Sequence, residues 1–405
     1  MNGPLDGLKV FDLTRILAGP TCTQILGDLG AEIIKIERPE VGDDTRNFAP
    51  PYLPDNNGED SSESAYFAGA NRNKRSITLN LSDPEGQALA KKLLADCDIL
   101  VENFKTGTLD KYGLGFEELH KEFPRLIYCS VTGFGQTGPY ANRPGYDALI
   151  QGMGGVMSLT GEPEGEPMKV GVSIADIMSG MYAGVSILAA VRHQMLHGEG
   201  QHIDISMLDT HVSWLANQGM SYLATGELPT RLGNMHPSIV PYQVMPSADG
   251  YFVLSVGNDP TFERFCKAAG CEELLQDERF RTATERVRNR DHVTATLNDV
   301  TRQHPAAWWL TELEKAKVGC GAINNLEQVF ADPQVQAREM VIEMDHPATG
   351  GKPAKLIASP IKMSATPVTY RHAPPTLGQH TNEVLKEKLS LSDDDIAALR
   401  DKGVV

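Results

Sequence analysis

The chain has 405 residues, too many for one ordinary domain and enough for two with sizeable cores. Its 37 basic and 53 acidic side chains leave a net charge of −16, which excludes a general nucleic-acid surface. No apolar run reaches the roughly 18–20 residues of a membrane span, and MNGPLDGLKVFDL lacks the basic start and apolar core of a signal peptide. The expectation is a cytoplasmic protein without a nucleic-acid or membrane partner.

The first 210 residues alternate strand and helix patterns. LKVFDLT (8–14) reads as a buried strand, GPTCTQILGDLG (19–30) as a short helix closed by glycine, and AEIIKIER (31–38) as the next strand. RSITLNL (75–81) is strand-like, PEGQALAKKLLADC (84–97) is helical with Pro84 in its first turn, and DILVENF (98–104) is a strand. FEELHKEF (116–123) is a helix, LIYCSVTGFG (126–135) a strand, about 175–196 a long helix, and HIDISML (202–208) a strand. This alternation implies an α/β fold, a Rossmann-like and mostly parallel sheet with helices on both faces. Ligands of such sheets bind beyond the carboxyl ends of the strands.

The texture changes from about 225 to 330. One strand-like run, YFVLSVG (251–257), precedes mostly helical text ending in PAAWWLTELEKAK (305–317), which reads as a smaller α+β domain. The expected division is 1–224 for the large domain, 225–330 for the small one and 331–405 for a C-terminal segment. PDNNGEDSSES (54–64) reads as a polar loop.

Of the 6 cysteines none forms a CxxC pair, and their spacing matches neither a zinc site nor a disulfide framework. They read as reduced thiols. The 11 histidines include no HExxH, and His193 and His197, four apart, have no carboxylate beside them, so no metal site is expected. GFGQTG (133–138) fits GxGxxG after a strand, but Pro139 and a loop follow where a dinucleotide fingerprint needs a helix. A glycine-rich loop near an active site fits better. In ANRNKR (70–75), Arg72, Lys74 and Arg75 form a basic cluster against an acidic background, as a solvated turn or as an anion site.

GVSIADIMSGMYAG (171–184) holds one carboxylate, Asp176, among small and apolar residues. Ser173 and Asp176 fit the S-x-x-D capping-box spacing. A carboxylate in the first helical turn also feels the positive end of the helix dipole, which keeps it ionised and able to act as a nucleophile. Small neighbours such as Ala175, Ser179 and Gly180 would leave room for a bulky substrate.

LKVFDLTRILAGP, GAEIIKIERP, NRNKRSITLNL, DILVENF, GFGQTGP, GYDALIQGMGG, GVSIADIMSG and GEGQHIDISMLD occur in an order that resembles the class III CoA-transferases of the CaiB/BaiF type. LGNMHPSIVPYQ (232–243), CGAINNLEQVFADPQV (320–335) and LGQHT (377–381) look most like the branch that acts on succinyl-CoA, glutarate and other dicarboxylates. The resemblance implies that Asp176 takes the acyl group and then carries CoA. It also implies that Arg38, Leu79, Asn80, Asn103, Phe104, Lys111 and Tyr146 contact CoA. CoA and acyl-CoA are then substrates, with no permanently bound cofactor, and small carboxylic acids are the other partners. The resemblance further implies a homodimer of interlocked rings, with 331–405 returning to the large domain. Two departures stand out. Lys111 replaces a frequent arginine and loses its bidentate fork. NMHPSIVPYQ stands where a glycine-rich loop covers the aspartate in formyl-CoA transferase, and His236 within it is a candidate substrate contact.

The residues support a CoA site on their own terms. CoA carries a 3′-phosphate and a pyrophosphate, and Arg38, the 72–75 cluster and Lys111 offer cations near strand ends. Arg38 as a surface ion pair, Asn103 as a turn cap and Tyr146 as a packed aromatic are the plainer readings. α-Methylacyl-CoA racemases share the aspartate but pair it with a histidine where this chain has Tyr146, whose ordinary pKa of about 10 suits proton transfer poorly. Transfer is therefore the expected reaction. A racemase or epimerase, or a non-catalytic CoA-binding protein, stays open as an alternative.

Overall fold

The computed structural model describes residues 3–405. The chain divides into two compact units, one made of residues up to 156, 170–220 and 336–405, the other of 157–169 and 221–335.

The first unit is built on a six-stranded sheet. In chain order it contains β1 (Lys9–Leu13), β2 (Glu32–Glu37), the short β3 (Tyr52–Pro54) and β4 (Asp60–Ser64), β5 (Lys74–Thr78), β6 (Ile99–Glu102), β7 (Ile127–Thr132) and β8 (His202–Ser206). The sheet order is β5-β2-β1-β6-β7-β8, every pair parallel. The first eight α-helices along the chain are α1 (Ala18–Asp28), α2 (Ala65–Gly69), α3 (Pro84–Leu94), α4 (Phe116–Glu122), α5 (Asp147–Met153), α6 (Val156–Leu159), α7 (Ile174–His197) and α8 (Met207–Ser213).

Strand side chains alternate between two cores, as the pleat requires. Phe11, Ile34, Leu100 and Tyr128 face one core, completed by Leu89 and Leu93 of α3 and by Val384, Leu385, Ile396 and Leu399. Val10, Ile33, Ile99, Val101 and Ile127 face the other, with Cys22 and Leu26 of α1 and Ala183, Ile187 and Ala190 of α7. The chain steps outward from β1 to β2 and β5, then returns to place β6 on the other side of β1. That reversal opens a crevice between the loops after β1 and β6, where parallel sheets bind ligands.

Three expectations change. Residues 54–64, read as a loop, contain β4, which pairs antiparallel with β3. Among the described residues α7 is long and apolar enough, by length and composition, to cross a membrane. The apolar text was shorter because Arg192 and His193 interrupt its end, yet one stripe of the helix is core. Gly180 does not make room for a substrate. A Cβ there would lie 2.4 Å from the Ala18 carbonyl oxygen, so the residue allows α1 and α7 to touch.

The second unit holds a three-stranded antiparallel sheet of Tyr242–Pro246, Tyr251–Ser255 and Gly319–Gly321, with the middle segment central. Phe252, Leu254, Phe262, Phe265, Trp309 and Leu313 form its core. The buried Trp309 indole donates to the Thr301 carbonyl at 2.7 Å. Only the middle strand was legible. GCG (319–321) has no strand propensity and is a strand by pairing alone.

Candidate active site

Asp176 lies in the first turn of α7. Ser173 holds the N-cap position, but its side chain caps nothing, so the capping-box reading does not hold. The acceptor comes from elsewhere in the unit. Asp147, the first residue of α5, accepts from the Ala175 amide at 2.8 Å and, at 3.4 Å, from the Asp176 amide. Its other oxygen takes the Gln151 side-chain N–H at 2.7 Å. Burial and the neighbouring Asp147 push the Asp176 carboxyl up to about 7.

Asp176 opens on a cavity of about 360 Å³ at the sheet's reversal point. Its walls are Arg15–Ala18 after β1, Asn103–Thr106 after β6, Thr132 and Gly133 at the end of β7, and the 141–147 segment. The first of these loops is strained. Ile16, a β-branched residue, sits at φ +70°. Side chains hold it there. Asp43 accepts from the Ile16 amide at 3.0 Å, while Asn103 accepts from the Arg15 amide at 3.0 Å and donates to the Arg15 carbonyl at 2.7 Å. Asp43 is itself fixed by the fully buried Lys35, 2.9 Å away.

A second cavity, of about 330 Å³, is lined by Arg38, Gly42, Leu79, Asn80, Ser82 and Tyr112 among others. It shares Arg15 and Phe104 with the Asp176 cavity. The structure thus gathers Arg38, Leu79 and Asn80 on one wall system and Asn103, Phe104, Tyr146 and Asp176 on the other. Lys111 is on neither. It is exposed on the 3-10 turn Asp110–Tyr112, one residue from the wall residue Tyr112. His236 belongs to the second unit, where its Nδ1 accepts from the Ser238 amide at 3.0 Å.

The 72–75 cluster is no anion site. Arg72 pairs with Asp28, Lys74 lies fully buried 3.3 Å from Asp12, and Arg75 pairs with Glu32, Glu383 and Glu387. Burial lowers the Lys74 ammonium to about 8. These cations hold the sheet to its surroundings. Three amides of the glycine-rich segments are also engaged: Gly135 donates to Thr132 Oγ1, Gln136 to Asp204, and Gly154 to the Ile150 carbonyl.

Sequence reasoning missed Asp147, Arg15, Tyr66 and Arg143. Arg15 follows a predicted strand directly, which was signal enough. Arg143 lines the Asp176 cavity with its guanidinium 3.9 Å from the Tyr140 ring centre. Burial raises the phenol of Tyr66 in α2, and the nearby Asp176 charge adds to the rise. Asp176 is more than a hundred residues away from it, beyond any local pattern.

A carboxylate on a crevice at the carboxyl ends of a parallel sheet, beside a second polar cavity, suits acyl-group chemistry on an extended anionic substrate. The family model for CoA-transferase family III matches residues 5–381, and the chain belongs to that family. It is an enzyme of this class, and CoA thioesters are its substrates. The chain is 48% identical to the succinate–glutarate CoA-transferase of Agrobacterium fabrum, over 95% of each chain. It is 40% identical to the human succinyl-CoA:glutarate CoA-transferase, over 99% of this chain and 90% of the relative. A crystal structure of a CaiB/BaiF family protein from Brucella suis matches with a TM-score of 0.83 and 47% identity, over 96% of this chain and all of that one.

Proposed function

We propose that the enzyme moves CoA from succinyl-CoA to glutarate or a closely similar dicarboxylate, through a thioester on Asp176. The names of relatives at 48% and 40% identity support the substrate pair. The observation that carries the mechanism is the placement of Asp176 on a cavity that shares Arg15 and Phe104 with the cavity around Arg38, Leu79 and Asn80.

The chemistry runs by exchange. The Asp176 carboxylate attacks the succinyl thioester carbonyl, and the C–S bond breaks to release CoA thiolate and leave a mixed anhydride. The thiolate attacks the aspartyl carbonyl, the anhydride C–O bond breaks, and succinate departs from an aspartyl-CoA thioester. Glutarate then attacks that carbonyl and expels the thiolate, which attacks the glutaryl carbonyl and restores the free carboxylate. No proton is gained or lost, and each step keeps one activated acyl group, provided water is excluded.

In this reading Arg38, Leu79, Asn80, Phe104 and Tyr146 contact CoA. Lys111 meets its phosphates from the rim, and Asn103 acts on the 14–17 loop as well as on the ligand. His236 is the candidate contact to the acceptor acid. A homodimer, of interlocked rings as the family resemblance implies, is supported only as far as a contact surface goes by the apolar face that α7 leaves exposed, where Met181, Val185, Met195 and Leu196 are 46–74% accessible. Light scattering of the purified chain should give twice the 44.1 kDa chain mass. The 6 unpaired cysteines support a reducing compartment such as the cytoplasm.

The test is exchange of labelled succinate into succinyl-CoA, followed by transfer to glutarate. Wild type should do both and Asp176→Ala neither. Exchange by a folded Asp176→Ala protein would refute the covalent route, and succinate exchange without transfer to glutarate or a similar dicarboxylate would refute the acceptor.

A further inference from the structure

We propose that Asp147 is a positioning residue for the transfer reaction: it caps the helix that presents Asp176 and places a second negative charge beside the nucleophile. The inference rests on the reading of Asp176 as nucleophile.

The first part is geometric. Helix N-termini leave amide donors that their own N-cap residue usually satisfies. The Ser173 side chain does not do so. Asp147, 28 residues upstream of Ala175 and on another helix, accepts from Ala175 N and Asp176 N instead. Its orientation is itself fixed. Gln151, fully buried, donates to Asp147 Oδ2 at 2.7 Å while its carbonyl oxygen accepts from the Val170 amide at 2.8 Å. The capping carboxylate therefore has little freedom to turn away from Asp176.

The second part is electrostatic. Asp147 and Asp176 line the same cavity. Two adjacent carboxylates repel while both are ionised. As an anhydride or a thioester Asp176 has no charge, so acylation relieves the repulsion. Asp147 thus destabilises the free carboxylate relative to both covalent states and makes it more basic. The other charged or titratable groups around the pair are Tyr66 from α2 and Arg15, Asp44, Lys105, Arg143 and Tyr146 on the cavity wall. His211 of α8 faces Asp147.

Asp147→Asn keeps an acceptor oxygen for the cap and removes the charge, whereas Asp147→Ala removes both. Two readouts separate tuning from scaffolding: the pH profile of kcat/KM in succinate exchange, and the fraction of aspartyl-CoA adduct by intact mass at a fixed succinyl-CoA:succinate ratio. With Asp147→Asn the acid limb should move down by roughly one pH unit and the adduct ratio at high pH should fall about tenfold, because both report the same repulsion. Asp147→Ala should show the same shifts with lower activity at every pH. Asp147→Ser, a smaller neutral cap, replaces Asp147→Asn if that protein is not recovered folded. A folded Asp147→Asn or Asp147→Ser enzyme with an unmoved limb and an unchanged adduct ratio overturns the proposal. Asp176→Ala, run alongside, keeps the two readings apart: if it retains exchange, the nucleophile assignment fails rather than the tuning.

Discussion

Asp176 stands half-buried beside another acid, and both features push its carboxyl up to about 7. It is ionised, and able to attack, only above that value. kcat/KM should therefore level off above about pH 7 and fall tenfold per unit well below it. Stability should respond in the opposite sense. A carboxyl that holds its proton more tightly when folded contributes stability at low pH and loses it as pH rises from 3.8 to about 7. Asp176→Asn should accordingly melt no lower than wild type at pH 8, read by calorimetry. Asp176 was legible in the sequence because an acid among small apolar residues is conspicuous. Asp147 was not, since its bonds to Ala175 and Asp176 cross a loop of unpatterned text. Arg72, Lys74 and Arg75 misled because spacing shows a cation but not the acid opposite it.

Among the elements, the 14–17 loop shows how scaffold and site meet. Asn103 was expected to touch CoA. It also brackets Arg15 with two hydrogen bonds next to a residue in a strained conformation. Asn103→Ala should cost about 1–3 kcal/mol in chemical denaturation and raise the KM for acyl-CoA more than it lowers kcat. Helix contact makes a separate prediction. Gly180→Ala would place a Cβ against the Ala18 carbonyl and should destabilise the protein by about 1–3 kcal/mol, read from the denaturation midpoint. The alternating strands and helices were readable because periods of two and about 3.6 are local properties. β3, β4 and the Gly319–Gly321 strand were not, because their pairing partners create them.

At the scale of the molecule, the end of the chain belongs to the first unit. The Asn80 amide donates to the Val404 carbonyl, the Asn73 amide to the His372 carbonyl, and Arg75 reaches Glu383 and Glu387. Val384, Leu385, Ile396 and Leu399 fill one of its two cores. Deleting 381–405 should therefore leave little folded protein, seen as loss of a cooperative thermal transition. The sequence carried no local sign of these pairings, which join residues some 300 positions apart. The measurement closest to the central claim is hydroxylamine trapping: the enzyme is incubated with succinyl-CoA, quenched with hydroxylamine and mapped by peptide mass spectrometry. A hydroxamate at Asp176, dependent on succinyl-CoA, is the expected result. Continued exchange with Asp176 unmodified, or with the label on another residue, would contradict it.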